Sequence, residues 1–268
     1  EIGAEAAAVF NALSMGEVVE DSRHLMVAPA CLRTRITALM DREIEQARAG
    51  NAAYLGFKLN GLTDKLLIDK LIEASQAGVK IDLVVRGVCC MVGGVPGLTD
   101  NIRVVSIVGR YLEHARIYIF GQGERRQVYI SSADFMTRNT TRRVEVAAPV
   151  YAPNLRAHLE QMFADELRDT AKGRVQQPDG TYTRTQGEPF SSQEHFCAQP
   201  YSGAWALSGL PKPEKPRPKP RPISGAAAKP APAAKPSVPG PKAPPAPRPA
   251  VKIQARKHGL LGRLLGRD

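Results

Sequence analysis

An imidazole and a guanidinium two residues apart, His114 and Arg116, stand at the head of an apolar strand-like run from Ile117 to Phe120. Both lie in the stretch RYLEHARIYIFGQGERRQVYISSAD, residues 110–134. A strand residue and its i+2 neighbour point to the same face of a sheet, so the spacing predicts that the two side chains project together. Such a pair suits phosphoryl chemistry. Imidazole titrates near neutral pH and can exchange protons or attack phosphorus. A guanidinium binds two phosphate oxygens in a fork. A second apolar run follows and closes in Ser131, Ser132, Ala133 and Asp134. Phosphate is the substrate to which these residues point.

The elements that must position them are legible from periodicity. Residues 1–15, 32–49, 64–77 and 154–168 carry helix formers with apolar residues at helical spacing, and Gly50 and Gly78 follow the second and third as terminators. Residues 24–29, 54–60, 79–86, 103–108, 117–120 and 143–150 read as strands, with a further strand in the apolar run after residue 120. Strands alternating with helices of this length predict an α/β domain with a largely parallel or mixed sheet flanked by helices. Ligands of open α/β sheets bind at the carboxyl ends of strands. Arg86, ending the most hydrophobic of these runs, is therefore a natural phosphate ligand. Lys58 and Asn60 lie at the end of another strand and could also touch phosphate, although polar residues there are as often simply solvated.

Composition divides the chain. Residues 211–268 hold 14 Lys and Arg against 2 Asp and Glu, a net charge of +12, while the whole chain carries +11. The body is close to neutral, so its overall basicity does not describe a nucleic-acid-binding domain. From Pro211 to Pro249 the chain is almost entirely Pro, Ala, Lys and Arg with scattered Ser and Gly. Such a segment cannot bury enough apolar surface to offset chain entropy and is expected to be disordered. A tail of this charge can attract polyanions through counterion release, or serve only as a solubilising linker. Its end, residues 259–267 (GLLGRLLGR), is short and amphipathic and could dock on a partner or a membrane surface, although its three glycines weaken any helix.

No apolar run approaches the roughly 20 residues of a membrane span. The four cysteines, Cys31, Cys89, Cys90 and Cys197, show no CxxC spacing, and reduced thiols in a cytoplasmic protein fit them best. His195 and Cys197 are two ligands at most, which do not make a metal site. His24 and His158 carry no site context either.

Beyond these local readings, seven segments match a known pattern: LMVAP (25–29), DREIEQARAG (41–50), KLNGLTD (58–64), EASQAGVKIDLVVRG (73–87), NIRVVSIVGRYLEHARIYIF (101–120), VYISSADFMTRN (128–139) and RRVEVAAPV (142–150). Over residues 1–190 the chain resembles the C-terminal part of polyphosphate kinases of the first family. The resemblance implies a phospholipase D-like domain that faces a second such half. The implied activity is reversible transfer of the terminal phosphate of ATP to inorganic polyphosphate, through a phosphohistidine. ATP or ADP, magnesium and polyphosphate come with that reading, as does assembly into a homo-oligomer. In the family pattern the histidine of RYLEH, here His114, assists proton transfer and contacts phosphate. The arginine of VRG, here Arg86, binds the nucleotide phosphates. The phosphorylated histidine and the magnesium-associated arginines belong to a preceding half-domain that would end just before Glu1, so this chain is expected to lack the nucleophile.

The resemblance also gives Ser131, Ser132 and Asn139 a reading, because they are similar to the serine/asparagine element that follows the histidine motif in phospholipase D-like proteins. Their donors could bind phosphate or merely close turns. Asp134 could orient a histidine or cap the following segment. The implied divisions are a helix left from the preceding half-domain (1–20), the phospholipase D-like domain (21–190), an ill-defined stretch (191–210) and the basic tail (211–268). Two other classes stay open. One is a phospholipase D-like phosphodiesterase or nuclease made from two copies of this half. Against it, Arg116 stands where that superfamily usually has Lys, and no Asp follows at the usual spacing. The other is a non-catalytic polyphosphate-binding module.

Overall fold

The run Lys80–Val85 is apolar at nearly every position because the strand it forms is covered on both faces. The computed structural model describes residues 1–19 and 22–199. The disordered tail predicted over residues 211–268, and its amphipathic end, lie outside the described residues. Nine strands form one mixed sheet: β1 Met26–Ala28, β2 Tyr54–Leu59, β3 Lys80–Val85, β4 Ile102–Ile107, β5 Ile117–Phe120, β6 Gln127–Ser131, β7 Glu145–Pro149, β8 Gly173–Gln176 and β9 Tyr182–Arg184. Their order is β1-β7-β6-β5-β2-β3-β4-β8-β9. The central trio β2, β3 and β4 is parallel, and every other pairing is antiparallel. The predicted class, a mixed sheet flanked by helices, is what forms.

The helices are α1 Ile2–Ser14, α2 Leu32–Arg48, α3 Lys65–Gln76, α4 Thr137–Thr141, α5 Pro153–Leu167 and α6 Ser192–Ala198. On one face of the sheet, Leu32, Ile36, Met40 and Ile44 of α2 and Leu67, Leu71 and Ala74 of α3 pack on Leu55, Phe57, Leu59, Leu83, Val85, Tyr118 and Phe120. On the other face, Phe163 and Leu167 of α5 pack on Val84, Val105, Ile107, Ile117, Ile119 and Val128. Alternate residues of a strand thus serve two separate cores, the geometric consequence of the pleat. Asp64 caps α3 by accepting from the main-chain N–H of Leu66 and Leu67 at 3.1 and 3.3 Å.

Four elements carry no clear periodic signal and were not expected from the sequence: the short α4, and β8, β9 and α6. Strands β8 and β9 extend the sheet past β4. Helix α6 falls in the stretch expected to be ill-defined, which is a correction. It is held by polar anchoring. The buried Asp169 carboxylate accepts from Ser192 N at 2.7 Å and Ser192 Oγ at 2.6 Å, and from Lys172 N and Gly173 N at 2.7 and 3.1 Å. Burial works against ionisation of Asp169, but these donors outweigh it and hold the carboxyl below its usual range. A seven-residue helix fixed this way needs no apolar stripe that a sequence could display.

Candidate phosphate-binding site

The exposed His114 sits on an extended loop just before β5. Its main-chain carbonyl accepts from Asn60 Nδ2 at 3.4 Å and Arg116 Nη1 at 3.1 Å. Its imidazole makes no hydrogen bond or ion pair among the described residues. Arg86, just past the end of β3, donates through Nε to Asn60 Oδ1 and to the main-chain carbonyl of Glu113, both at 2.5 Å. Those bonds anchor one edge of the guanidinium beside the residue preceding His114. The two terminal nitrogens of Arg86 have no partner among the described residues, so the fork that would grip two phosphate oxygens is unspent. Both groups lie at carboxyl ends or edges of the central strands, where α/β sheets bind ligands.

The expected pairing of His114 with Arg116 is corrected. Strand β5 begins at Ile117, so no strand pleat relates residues 114 and 116. Arg116 turns instead to Asp134, with Nη2 to Oδ2 at 2.9 Å and Nε to Oδ1 at 3.3 Å. Asp134 also accepts from Asn60 N at 2.6 Å. The guanidinium of Arg116 is therefore consumed in tying the His114 loop to the segment after β6, and Asp134 orients an arginine rather than a histidine.

Lys58 is corrected for a similar reason. Alternation along β2 sends Leu55, Phe57 and Leu59 toward α2 and α3 and leaves Lys58 facing the opposite side, which α5 covers. Its side chain is 3% exposed, and its ammonium pairs with Glu113 at 2.6 Å and, in a shorter contact, with Glu166 of α5. It cannot reach a ligand in solvent. Ser131 accepts from Tyr118 Oη and Ala133 N, both at 3.0 Å. Ser132 donates to Glu145 and accepts from Val146 N at 3.1 Å. Buried Asn139 donates to Glu145 at 3.0 Å and accepts from Asp134 N at 3.3 Å. In this structure the three side chains bond within the segment from β6 to β7.

Glu113 and Gln193 were not singled out in the sequence, yet both reach the loop. Burial alone would raise the Glu113 carboxyl, but the Lys58 ammonium and the Gln193 amide outweigh it and hold the group below its usual range. Glu166 behaves oppositely: burial, helped by the Glu113 carboxylate, pushes it up to about 7 against the pull of Lys58. Glu113 stands in the RYLEH motif, but only the fold shows what it meets. Among the described residues no group of three His, Cys, Asp or Glu side chains is placed to hold a metal ion. Glu113, Asp134 and Glu145 already serve protein donors. These side chains do not fit a magnesium site.

Fold and loop together define an α/β domain that presents an unpaired imidazole and an unspent guanidinium at the ends of its central strands. The family model for polyphosphate kinase C-terminal domain 2 matches residues 25–199, and the chain belongs to that family. A polyphosphate kinase of Thermosynechococcus vestitus is 46% identical over 189 residues, covering 70% of this chain and 26% of that protein. One from Bacillus anthracis is 45% identical over 182 residues, covering 68% and 26%. The crystal structure of polyphosphate kinase from Porphyromonas gingivalis superposes with a TM-score of 0.69 at 36% identity, over 74% of this chain and 31% of that one. The chain thus spans about a quarter of the length of the curated relatives it matches.

Proposed function

We propose that this chain is the C-terminal, phosphate-binding part of a polyphosphate kinase, which transfers the terminal phosphate of ATP reversibly to inorganic polyphosphate. The observation that carries the reading is the unspent fork of Arg86 anchored beside a free His114 imidazole, in a chain of this family. Arg86 would hold two oxygens of a nucleotide phosphate through parallel N–H bonds, neutralising charge as the phosphoryl group moves. His114 would give or take a proton at an oxygen of the transferring group. The residue that becomes phosphorylated lies in a preceding half-domain on this reading, so the domain supplies one wall of a two-walled site.

The test is made in the longer polyphosphate kinase that carries this domain. Replacing His114 by Asn is expected to lower kcat for polyphosphate synthesis by about 10²-fold or more, the usual weight of a positioned acid/base group. Replacing Arg86 by Lys keeps the charge but loses the fork, and should raise KM for ATP. Wild-type kcat in the His114 variant would refute the assignment.

A further inference from the structure

Helix α6 reaches the His114 loop with one side chain, and that side chain does three things at once. Gln193 Oε1 accepts from Tyr111 N at 3.1 Å, and Nε2 donates to Tyr111 O at 2.8 Å. The amide thereby satisfies both main-chain groups of one residue, as a neighbouring strand would. The same Nε2 donates to Glu113 Oε1 at 2.6 Å, while the other Glu113 oxygen meets Lys58. Glu113 is thus held at its side chain from α6 and β2 and at its carbonyl by Arg86, one residue before His114. Gln193 is 5% exposed, and α6 itself is anchored through Asp169.

The loop has conformed to this contact. A Cβ built on Gly109 would collide with Gln193 Oε1 and lie 2.9 Å from its Cδ, so the chain can approach the amide this closely only with glycine there.

We propose that Gln193 is a positioning residue for His114, an inference that rests on the acid/base reading of His114 given above. It clamps residues 111–113 against α6 so that the imidazole, which has no side-chain partner of its own among the described residues, is carried at a set place relative to the Arg86 fork. Reactive groups displaced by about 1 Å can cost 10²-fold in rate, and Gln193 adds the tie from α6 to those that Arg86, Lys58, Asn60 and Arg116 already make to this loop. On this reading the residues beyond the sheet complete the site from behind without touching substrate.

The test is a double-mutant cycle in the longer polyphosphate kinase. Gln193→Ala is expected to lower kcat about 10- to 100-fold with KM for ATP changed less than about 3-fold, because Arg86 keeps Asn60 Oδ1 as an anchor outside the clamped segment. In the His114→Asn background the same substitution should change the residual kcat less than about 2-fold, since nothing remains to be positioned. A merely structural role would cost the same factor in both backgrounds. Gly109→Ala, which displaces the amide while leaving α6 intact, should reproduce the kcat loss and covers the case in which Gln193→Ala folds poorly. Unchanged kcat in Gln193→Ala and Gly109→Ala, or equal losses in both backgrounds, overturns the inference. If instead His114→Asn alone leaves kcat intact, the acid/base reading is what fails.

Discussion

Replacing Lys58 by Met tests the buried charge cluster behind the His114 loop. The ammonium is the cation shared by Glu113 and Glu166, whose side chains are 13% and 2% exposed. Methionine matches the length of the lysine stem, so the change removes charge with little change of volume. Breaking a buried pair by removing one partner costs about 3–5 kcal/mol, chiefly because a charge is left uncompensated. At roughly 2–4 °C per kcal/mol for a domain of this size, the melting temperature should fall by about 6–20 °C. The loss should depend on pH. Without Lys58 its pull on both carboxyls is lost while their burial remains, so both folded-state pKa values move up from those of the parent. A group whose folded-state pKa moves up in this way loses stability relative to the parent as pH rises from the parent's folded pKa through its own. The deficit relative to the parent is therefore larger at pH 8 than at pH 5. Urea unfolding followed by far-ultraviolet circular dichroism at both pH values measures it. Adding Glu113→Gln and Glu166→Leu should recover most of the loss, since no charge then lacks a partner. A Lys58→Met protein within about 1 kcal/mol of the parent at pH 8, or an equal deficit at both pH values, would refute the reasoning.

Two further substitutions probe the ties around the site. Asp134→Asn leaves Arg116, whose side chain is 15% exposed, without its carboxylate. It should cost about 2–4 kcal/mol by urea unfolding, with part recovered by adding Arg116→Gln; an unchanged midpoint would show that the pair contributes nothing. Gly173→Ala would drive a Cβ into the main-chain oxygen of Asp169 and place it 2.7 Å from Thr185 Oγ1. Because the obstacle is backbone in the turn that anchors α6, the loss should reach about 3 kcal/mol. Stability and polyphosphate synthesis should fall together, and a variant with parental melting temperature and activity would contradict this role for the turn.

Much of the architecture is legible in the order of residues. The seven strands from β1 to β7 and the helices α1, α2, α3 and α5 follow from apolar periods of 2 and 3.6, which report burial directly. Their ends differ from expectation by a residue or two, as in Tyr54–Leu59 for 54–60 and Lys80–Val85 for 79–86. Helix α6 and the β8–β9 hairpin were illegible because hydrogen bonds from Asp169, Gln193 and main-chain pairings hold them in place of an apolar stripe.

The candidate site shows the same division more sharply. From its sequence alone the chain determined that a basic and imidazole-bearing set, Lys58, Arg86, His114 and Arg116, would gather at strand ends, because the pattern of strands dictates where those residues emerge. Which of them remain available was decided only by tertiary structure. Arg116 meets Asp134, Lys58 meets Glu113 and Glu166, and Arg86 alone of these three cations keeps an open fork beside His114. The physical reason is that a cation's role depends on which carboxylates the fold brings within about 4 Å. Here those partners stand 18, 55 and 108 residues away in the chain, beyond the reach of any local pattern.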